Sequence, residues 1–177
     1  IPFLGHGQSV QLADSLFQTG KQFDQAGKNQ ESEFYYREAY NIYREFNDTA
    51  SWLKAGKQYA SAMMWRAKNS QAIDLYKRLL AVNHPANASY NRGDLYNSMG
   101  LASKRMGNLD QANRYYQESL PLSKESGDSL LIGVVLSNIG GVQKARGNYS
   151  KALEGHKQSL PYFRGIGAKR NVAISLG

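Results

Sequence analysis

The chain has 177 residues, of which 41% are hydrophobic and 20% charged, with 17 Gly, 4 Pro and no Cys. That is enough chain to bury a sizeable core. The lack of cysteine excludes disulfides, zinc-thiolate sites, iron–sulfur clusters and thiol nucleophiles, so stability has to come from packing. Lys and Arg number 22 against 14 Asp and Glu, a formal charge of +8, and most of the surplus falls from residue 89 onward. Such an imbalance favours acidic partners without naming one. No run of 18 apolar residues occurs and the mean hydropathy is −0.57, so no segment reads as a membrane span.

At the start, Ile1-Pro2-Phe3-Leu4-Gly5-His6-Gly7-Gln8-Ser9 runs from apolar to small and polar ahead of the first helical pattern. Residues 1–9 therefore read as an N-terminal arm or as the remnant of a secretory signal peptide. The second reading places the chain on the periplasmic or secreted side of a membrane, the first in the cytoplasm.

From residue 10 a 40-residue period organises everything. Gly20, Ala60, Gly100 and Gly140 stand 40 apart, as do Gly27, Ala67, Gly107 and Gly147. Ser32, Ala72, Ala112 and Ala152 keep the step, followed by Tyr36, Tyr76, Tyr116 and His156, then by Tyr40, Leu80, Leu120 and Leu160. Repeats at about 10–49, 50–89, 90–129 and 130–168 follow, with the first helix of a fifth at 169–177. Each repeat should hold two antiparallel helices, A and B. Small residues in the Gly20 and Ser32 columns let the pair come close. The Gly27 column should end helix A in a left-handed C-cap, and the polar residues after it (Asn29, Asn69, Asn108, Asn148) offer turn and N-cap chemistry. Ala67 breaks that column, and its turn should be the least well capped. Apolar residues recur at three- and four-residue steps, as in Ile73, Tyr76 and Leu80, and strand-like alternation is absent. The Tyr-rich run from Phe34 to Phe46 puts Tyr36, Tyr40 and Tyr43 on one helical face, which reads as core. Pro121 and Pro161 recur in one column of helix B, where each deletes a backbone hydrogen bond at roughly 3 kcal/mol if uncompensated, so a bend or loosening is expected. The chain stops in Ala173-Ile174-Ser175-Leu176-Gly177, in mid-pattern, and reads as a piece of a longer protein.

The pattern Gly100…Gly107…Ala112…Tyr116, repeated as Gly140…Gly147…Ala152…His156, resembles the tetratricopeptide repeat (TPR). The 40-residue step is similar to the longer variant found in kinesin light chains, in polarity adaptors of the LGN type and in bacterial signalling proteins. The resemblance covers about residues 10–177. It implies an all-α fold, a right-handed superhelix (α-solenoid) of antiparallel helix pairs. It further implies a protein-interaction scaffold within a larger, bacterial signalling or regulatory protein, with a catalytic or DNA-binding domain elsewhere in the parent chain. The pattern departs from the family where Leu79 replaces a small residue, and where Ser103 and Gln143 replace the large residue represented by Phe23 and Met63.

Stacked hairpins of this kind present a concave wall lined chiefly by helix A. By register the wall carries Gln18, Lys21, Lys54, Lys57, Gln58, Asn97, Ser98, Lys104, Arg105, Asn138 and Lys144, with Trp65 and Met64 as apolar candidates. Amides at Gln18, Gln58 and Asn138 suit a peptide backbone because each offers donor and acceptor together. In the adaptors that the chain resembles, Asn in that column does such work. The same residues also fit a solvated helix face. The five-residue clamp by which some family members hold a chaperone's C-terminal carboxylate is absent, since after Lys57 its other four positions hold Ser61, Ser98, Val134 and Asn138.

Nothing in the sequence gathers catalytic chemistry. His6, His84 and His156 fall in the arm, before Pro85 and in a packing column, with no metal-ligand spacing and no phosphate loop or nucleophile elbow. Glu31 and Glu33 near a helix start favour its positive end. No enzyme activity, metal or cofactor is therefore expected of this segment. A protein or peptide of acidic character is the expected partner. Two alternatives remain: a nucleic-acid-binding helical repeat, to which Gln18, Gln58, Ser98 and Asn138 would contribute one polar residue per repeat, and a structural segment that self-associates through its open ends, where Val172, Ile174 and Leu176 form an apolar face.

Overall fold

The computed structural model describes residues 6–82 and 84–176. Every regular element in them is helical: α1 (His6–Gln25), α2 (Asn29–Glu45), α3 (Thr49–Trp65), α4 (Asn69–Leu80), α5 (Ser89–Arg105), α6 (Leu109–Ser126), α7 (Ser129–Ala145), α8 (Tyr149–Gly165) and α9 (Lys169–Leu176), with a single 3-10 turn at Pro85–Asn87. They form two compact units that meet in sequence between Asn87 and Ala88. In the first, α1 packs on α2, α2 on α3 and α3 on α4; in the second, α5 to α9 pack in the same serial way, and α5 also touches α7 directly. Residues 6–9, expected in an N-terminal arm, are instead the first turn of α1. Ile1–Gly5 lie outside the described residues.

The repeating columns pair across each hairpin. A Cβ placed on Gly20 would stand 2.8 Å from the Tyr36 ring, and one on Gly100 would stand 2.5 Å from that of Tyr116. The small residue of helix A is thus the floor on which the helix B aromatic lies. Ala60 and Tyr76 fill the same places in the second repeat, both buried. The Leu79 departure is compensated from helix A: Gly56 faces it, and a Cβ there would come within 2.8 Å of Leu79 Cδ2 and 3.0 Å of the Tyr40 ring. Buried serines add directional contacts, since Ser119 donates to the Gly93 carbonyl at 2.7 Å and Ser159 lies 3.0 Å from Ser175 of α9. These tie α6 to α5 and α8 to α9.

The turns follow the Gly27 column. Gly27, Gly107 and Gly147 have φ of 69°, 78° and 78°, and Ala67 takes φ of 59° in the same place. A Cβ in that conformation costs roughly 1–2 kcal/mol, which glycine avoids. Ala67→Gly should therefore stabilise the chain by about 1 kcal/mol, measurable as a higher urea midpoint at unchanged m-value. Of the four asparagines placed at N-caps, only Asn108 closes the helix with its side chain, accepting from Gln111 N–H at 3.1 Å. Asn29 and Asn69 sit one residue inside their helices, behind Lys28 and Lys68, and Asn148 occupies the cap position but its side chain donates back to Gln143 Oε1 at 3.1 Å instead of capping α8. Asp48 and Asp128, at the B-to-A turns, do cap, accepting from Ser51 and Leu131 N–H at 3.1 and 2.7 Å.

Neither proline breaks its helix: α6 runs through Pro121 and α8 through Pro161. Both prolines are exposed, as are Gln117 and Lys157, whose carbonyls lose their partners. Water can serve those carbonyls, which removes most of the penalty.

Glu33 has a second role beside its place in the first turns of α2. It is buried, and its carboxylate accepts from Arg66 Nη1 at 2.9 Å and Lys68 Nζ at 2.6 Å, bracing α2 against the α3–α4 turn. The two cations are about a third exposed, so they can rehydrate when the acid is removed. Glu33→Gln should cost about 1–2 kcal/mol in chemical unfolding, below the 3–5 of a fully buried broken pair.

Candidate functional site

The helix A residues expected to line a concave wall divide between the two units. In the first, Lys21 of α1 and Lys54 and Gln58 of α3 come together around a hollow of about 240 Å³, closed by Phe17, Asp24, Gln25 and Tyr36. Lys54 Nζ stands 5.1 Å from the centre of the Phe17 ring, a cation–π contact that holds the ammonium at the hollow's edge. The Tyr36 hydroxyl is pushed up to about 12, first by burial and then by the Asp24 carboxylate. This hollow therefore mixes both signs of charge with an aromatic wall. Gln18 is exposed and Lys57 half-buried, and neither lines it. Trp65, the last residue of α3, is 59% exposed and also lies off the hollow. Met64 is not a groove residue: it is 5% exposed, and its sulfur accepts from the Tyr76 hydroxyl at 3.6 Å inside the hairpin.

In the second unit the direct approach of α5 to α7 joins two predicted residues. Asn138 Nδ2 donates to Asn97 Oδ1 at 2.9 Å. Each amide spends one of its groups on the other, leaving Asn138 Oδ1 and Asn97 Nδ2 for a further partner. Asn138 also lines a hollow of about 160 Å³ with Val134, Ser137, Phe163 and Asn171.

One turn along, Lys104 of α5 reaches over α7. A Cβ on Gly141 would stand 2.8 Å from Lys104 Nζ, so the missing side chain is the space that the ammonium occupies. Lys144 follows on α7, and the charges of Lys144 and Lys104 both bear on His156 of α8. Its imidazole is held below the ordinary 6.5 first by burial and then by these two cations. Ser137 Oγ lies 3.3 Å from His156 Nδ1. Ser98 is half-buried and Arg105 exposed. His156, read as a packing residue, and Ser137 thus belong with the predicted Asn138, Lys104 and Lys144. The one signal for His156 was its break in the Tyr column.

Among the described residues, no group of three or more His, Asp or Glu stands where it could hold a metal ion, and no helix is long and apolar enough to cross a membrane. Of the apolar end face, Val172 lines a hollow of about 410 Å³ with Phe163 and Ala173. The side chains of Ile174 and Leu176 lie outside the described residues.

Serially packed helix pairs with a small-residue floor, an aromatic lid and a left-handed turn at a 40-residue step define an all-α helical-repeat scaffold. Residues 91–164 match the family model for the tetratricopeptide repeat. Solved structures of the same fold include the aspartyl phosphate phosphatase F of Bacillus subtilis, at 17% identity and a TM-score of 0.85 over 94% of this chain and 44% of that one. A Rap protein complexed with competence and sporulation factor is similar at 14% identity and 0.83, over 94% of this chain and 46% of that one. A signal transduction ATPase of Pyrococcus horikoshii with a tetratricopeptide repeat sensor is similar at 17% and 0.81, over 98% of this chain and 27% of that one. The chain thus spans less than half the length of each of these three. No curated protein matches the sequence.

Proposed function

We propose that this segment is a non-catalytic recognition module that holds a protein or peptide along its A helices, as the sensing or scaffolding part of a larger signalling protein. The observation that carries this reading is the Asn97–Asn138 pair. Two amides from successive A helices fix each other's orientation and keep one acceptor and one donor unspent, the complement of an extended peptide's own N–H and C=O. The hollow at Lys21, Lys54 and Gln58 supports it with an aromatic wall for a side chain and cations at its rim. A Rap protein of similar fold has been solved with competence and sporulation factor bound, which agrees with ligand recognition as a use of such a scaffold. In the ATPase of similar fold the repeats are a sensor, which agrees with the signalling part.

The test is a random-peptide display selection on the immobilised full chain, followed by calorimetry of the enriched peptides. The expected result is that Asn97→Ala/Asn138→Ala or Lys54→Glu weakens binding at least tenfold with little change in Tm. An empty selection, or peptides indifferent to every one of these substitutions, would overturn the reading. Retention of single-stranded oligonucleotides at low salt, lost on Lys54→Glu, would favour a nucleic-acid role instead.

A further inference from the structure

The hollow of the first unit and the surroundings of His156 in the second differ in charge. At the first, Asp24 stands with Lys21 and Lys54; around His156 the charges that bear on the ring are both cations. We propose that Lys104, Lys144 and His156 form a subsite for one oxyanion group, a carboxylate or phosphate monoester carried by the bound peptide, and that filling it draws a proton onto His156. This rests on the recognition reading above and names the chemistry of its second unit.

The geometry is specific to this repeat. Ser137, Gly141 and Lys144 fall on one stripe of α7, and Asn97 and Lys104 on one stripe of α5. The Asn97–Asn138 bond marks one end of the seam between these stripes, and Lys104 lying over Gly141 marks the other. Only position 141 of its column is glycine; Lys21, Ser61 and Leu101 precede it. The bare backbone lets the ammonium settle where a Cβ would push it away. The imidazole lies beside this seam with Ser137 at its Nδ1, so an anion there meets two ammonium groups, a hydroxyl and the ring.

Among the described residues no acid forms an ion pair with Lys104 or Lys144. Lys144 bears on the ring from α7 and Lys104 from α5; α9, also packed on α8, begins with Lys169 and Arg170. On α8 itself the neighbouring charges are Lys157 and Glu154, and Glu154 is exposed and accepts from Gln158. With the subsite empty, burial and like charge hold His156 neutral. A bound anion cancels that repulsion and favours the imidazolium, which then donates to it. By linkage, anything that raises the proton affinity of the ring must itself bind more tightly as pH falls.

The probes are an octaglutamate peptide, a peptide of equal length carrying one phosphoserine among alanines, and inorganic phosphate. They are titrated against the full chain with ¹³C-labelled histidine, and His156→Gln identifies the resonance. In the free chain the His156 ring should titrate below 6.5. Saturating probe should raise its midpoint by about one unit, with about fivefold tighter binding of the octaglutamate at pH 5.5 than at 7.5. Lys104→Gln/Lys144→Gln should raise the free midpoint and abolish the response. Gly141→Ala, which displaces only the Lys104 ammonium, should weaken the probe several-fold. A response to octaglutamate assigns a carboxylate, and one to both phosphate probes alone assigns a phosphoryl group. A midpoint that no probe moves, or a shift that survives loss of both lysines, would overturn the subsite. If displayed peptides bind through Asn97 and Asn138 while His156 stays unmoved, this inference fails and the recognition reading stands. An empty selection sinks that reading whatever the titration shows.

Discussion

Gly155→Val is expected to destabilise the chain by about 3 kcal/mol or more, lowering Tm by roughly 6–12 °C. In the fourth hairpin no tyrosine ring covers the Gly140 column. A Cβ on Gly155 would lie 2.9 Å from Gly140 Cα, 3.0 Å from its nitrogen and 3.1 Å from the Leu136 carbonyl oxygen, and one on Gly140 would lie 2.9 Å from the Ala152 carbonyl oxygen. Here α7 and α8 meet backbone to backbone. Only displacement of a whole helix can make room, and that displacement would open the packing of Phe163 on Gly133 in the same pair. Valine adds its branch to the overlap and brings little helix propensity to offset it. Gly165→Ala, at the end of the same helix, should show the opposite sign. Nothing lies within 4 Å of its Cβ position, so the gain in helix propensity, up to about 1 kcal/mol, goes unopposed. Thermal unfolding by circular dichroism of the two variants separates crowding from propensity. Equal effects would show that the close approach of α7 and α8 is not what stabilises this pair.

The same hairpin shows what a sequence of this kind discloses. A constraint that recurs at each step, such as the small residue of the Gly20 column or the turn at the Gly27 column, is visible because four copies report it. The helix pairs and their order are therefore readable in the sequence. Compensations made once are not. Gly56 answers Leu79, and Glu33 answers Arg66 and Lys68, across 23 to 35 residues of chain, and no period connects the partners. Lys104 and Lys144 could be placed on an exposed stripe, but the space that Gly141 leaves for one ammonium depends on how closely α5 approaches α7. The misplaced residue has a physical reason too. Register places Met64 on the wall, yet its long flexible side chain turns inward, where the Tyr76 hydroxyl needs an acceptor and finds a polarisable sulfur.

Tyr116→Ala should cost about 3–5 kcal/mol, the loss expected when a fully buried ring is cut back and the hollow does not collapse. Tyr116 is 0% exposed and packs with Ala112, Leu131, Val135 and Val142 in the core of the second unit. Its ring covers Gly100, so truncation leaves that stretch of α5 without its cover. Tyr116→Phe should go the other way by about 1 kcal/mol, because the Tyr116 hydroxyl is buried with no hydrogen-bond partner, and losing an unpaired polar group relieves its desolvation. Tyr76→Phe should gain less, since that hydroxyl has the Met64 sulfur. Alkali offers an independent check. Burial raises the Tyr116 phenol above its ordinary 10.0, so the unfolded chain releases this proton first. The stability the neutral phenol contributes is complete below pH 10 and drains away as pH rises past it. Tyr36 and Tyr43 are raised likewise and will still drive alkaline unfolding in the variant, but Tyr116→Phe should flatten the fall in stability between pH 10 and 12. A steepness unchanged from wild type, together with no gain at neutral pH, would mean that water reaches the Tyr116 hydroxyl and that the third hairpin is less tightly closed than its Gly100 floor implies.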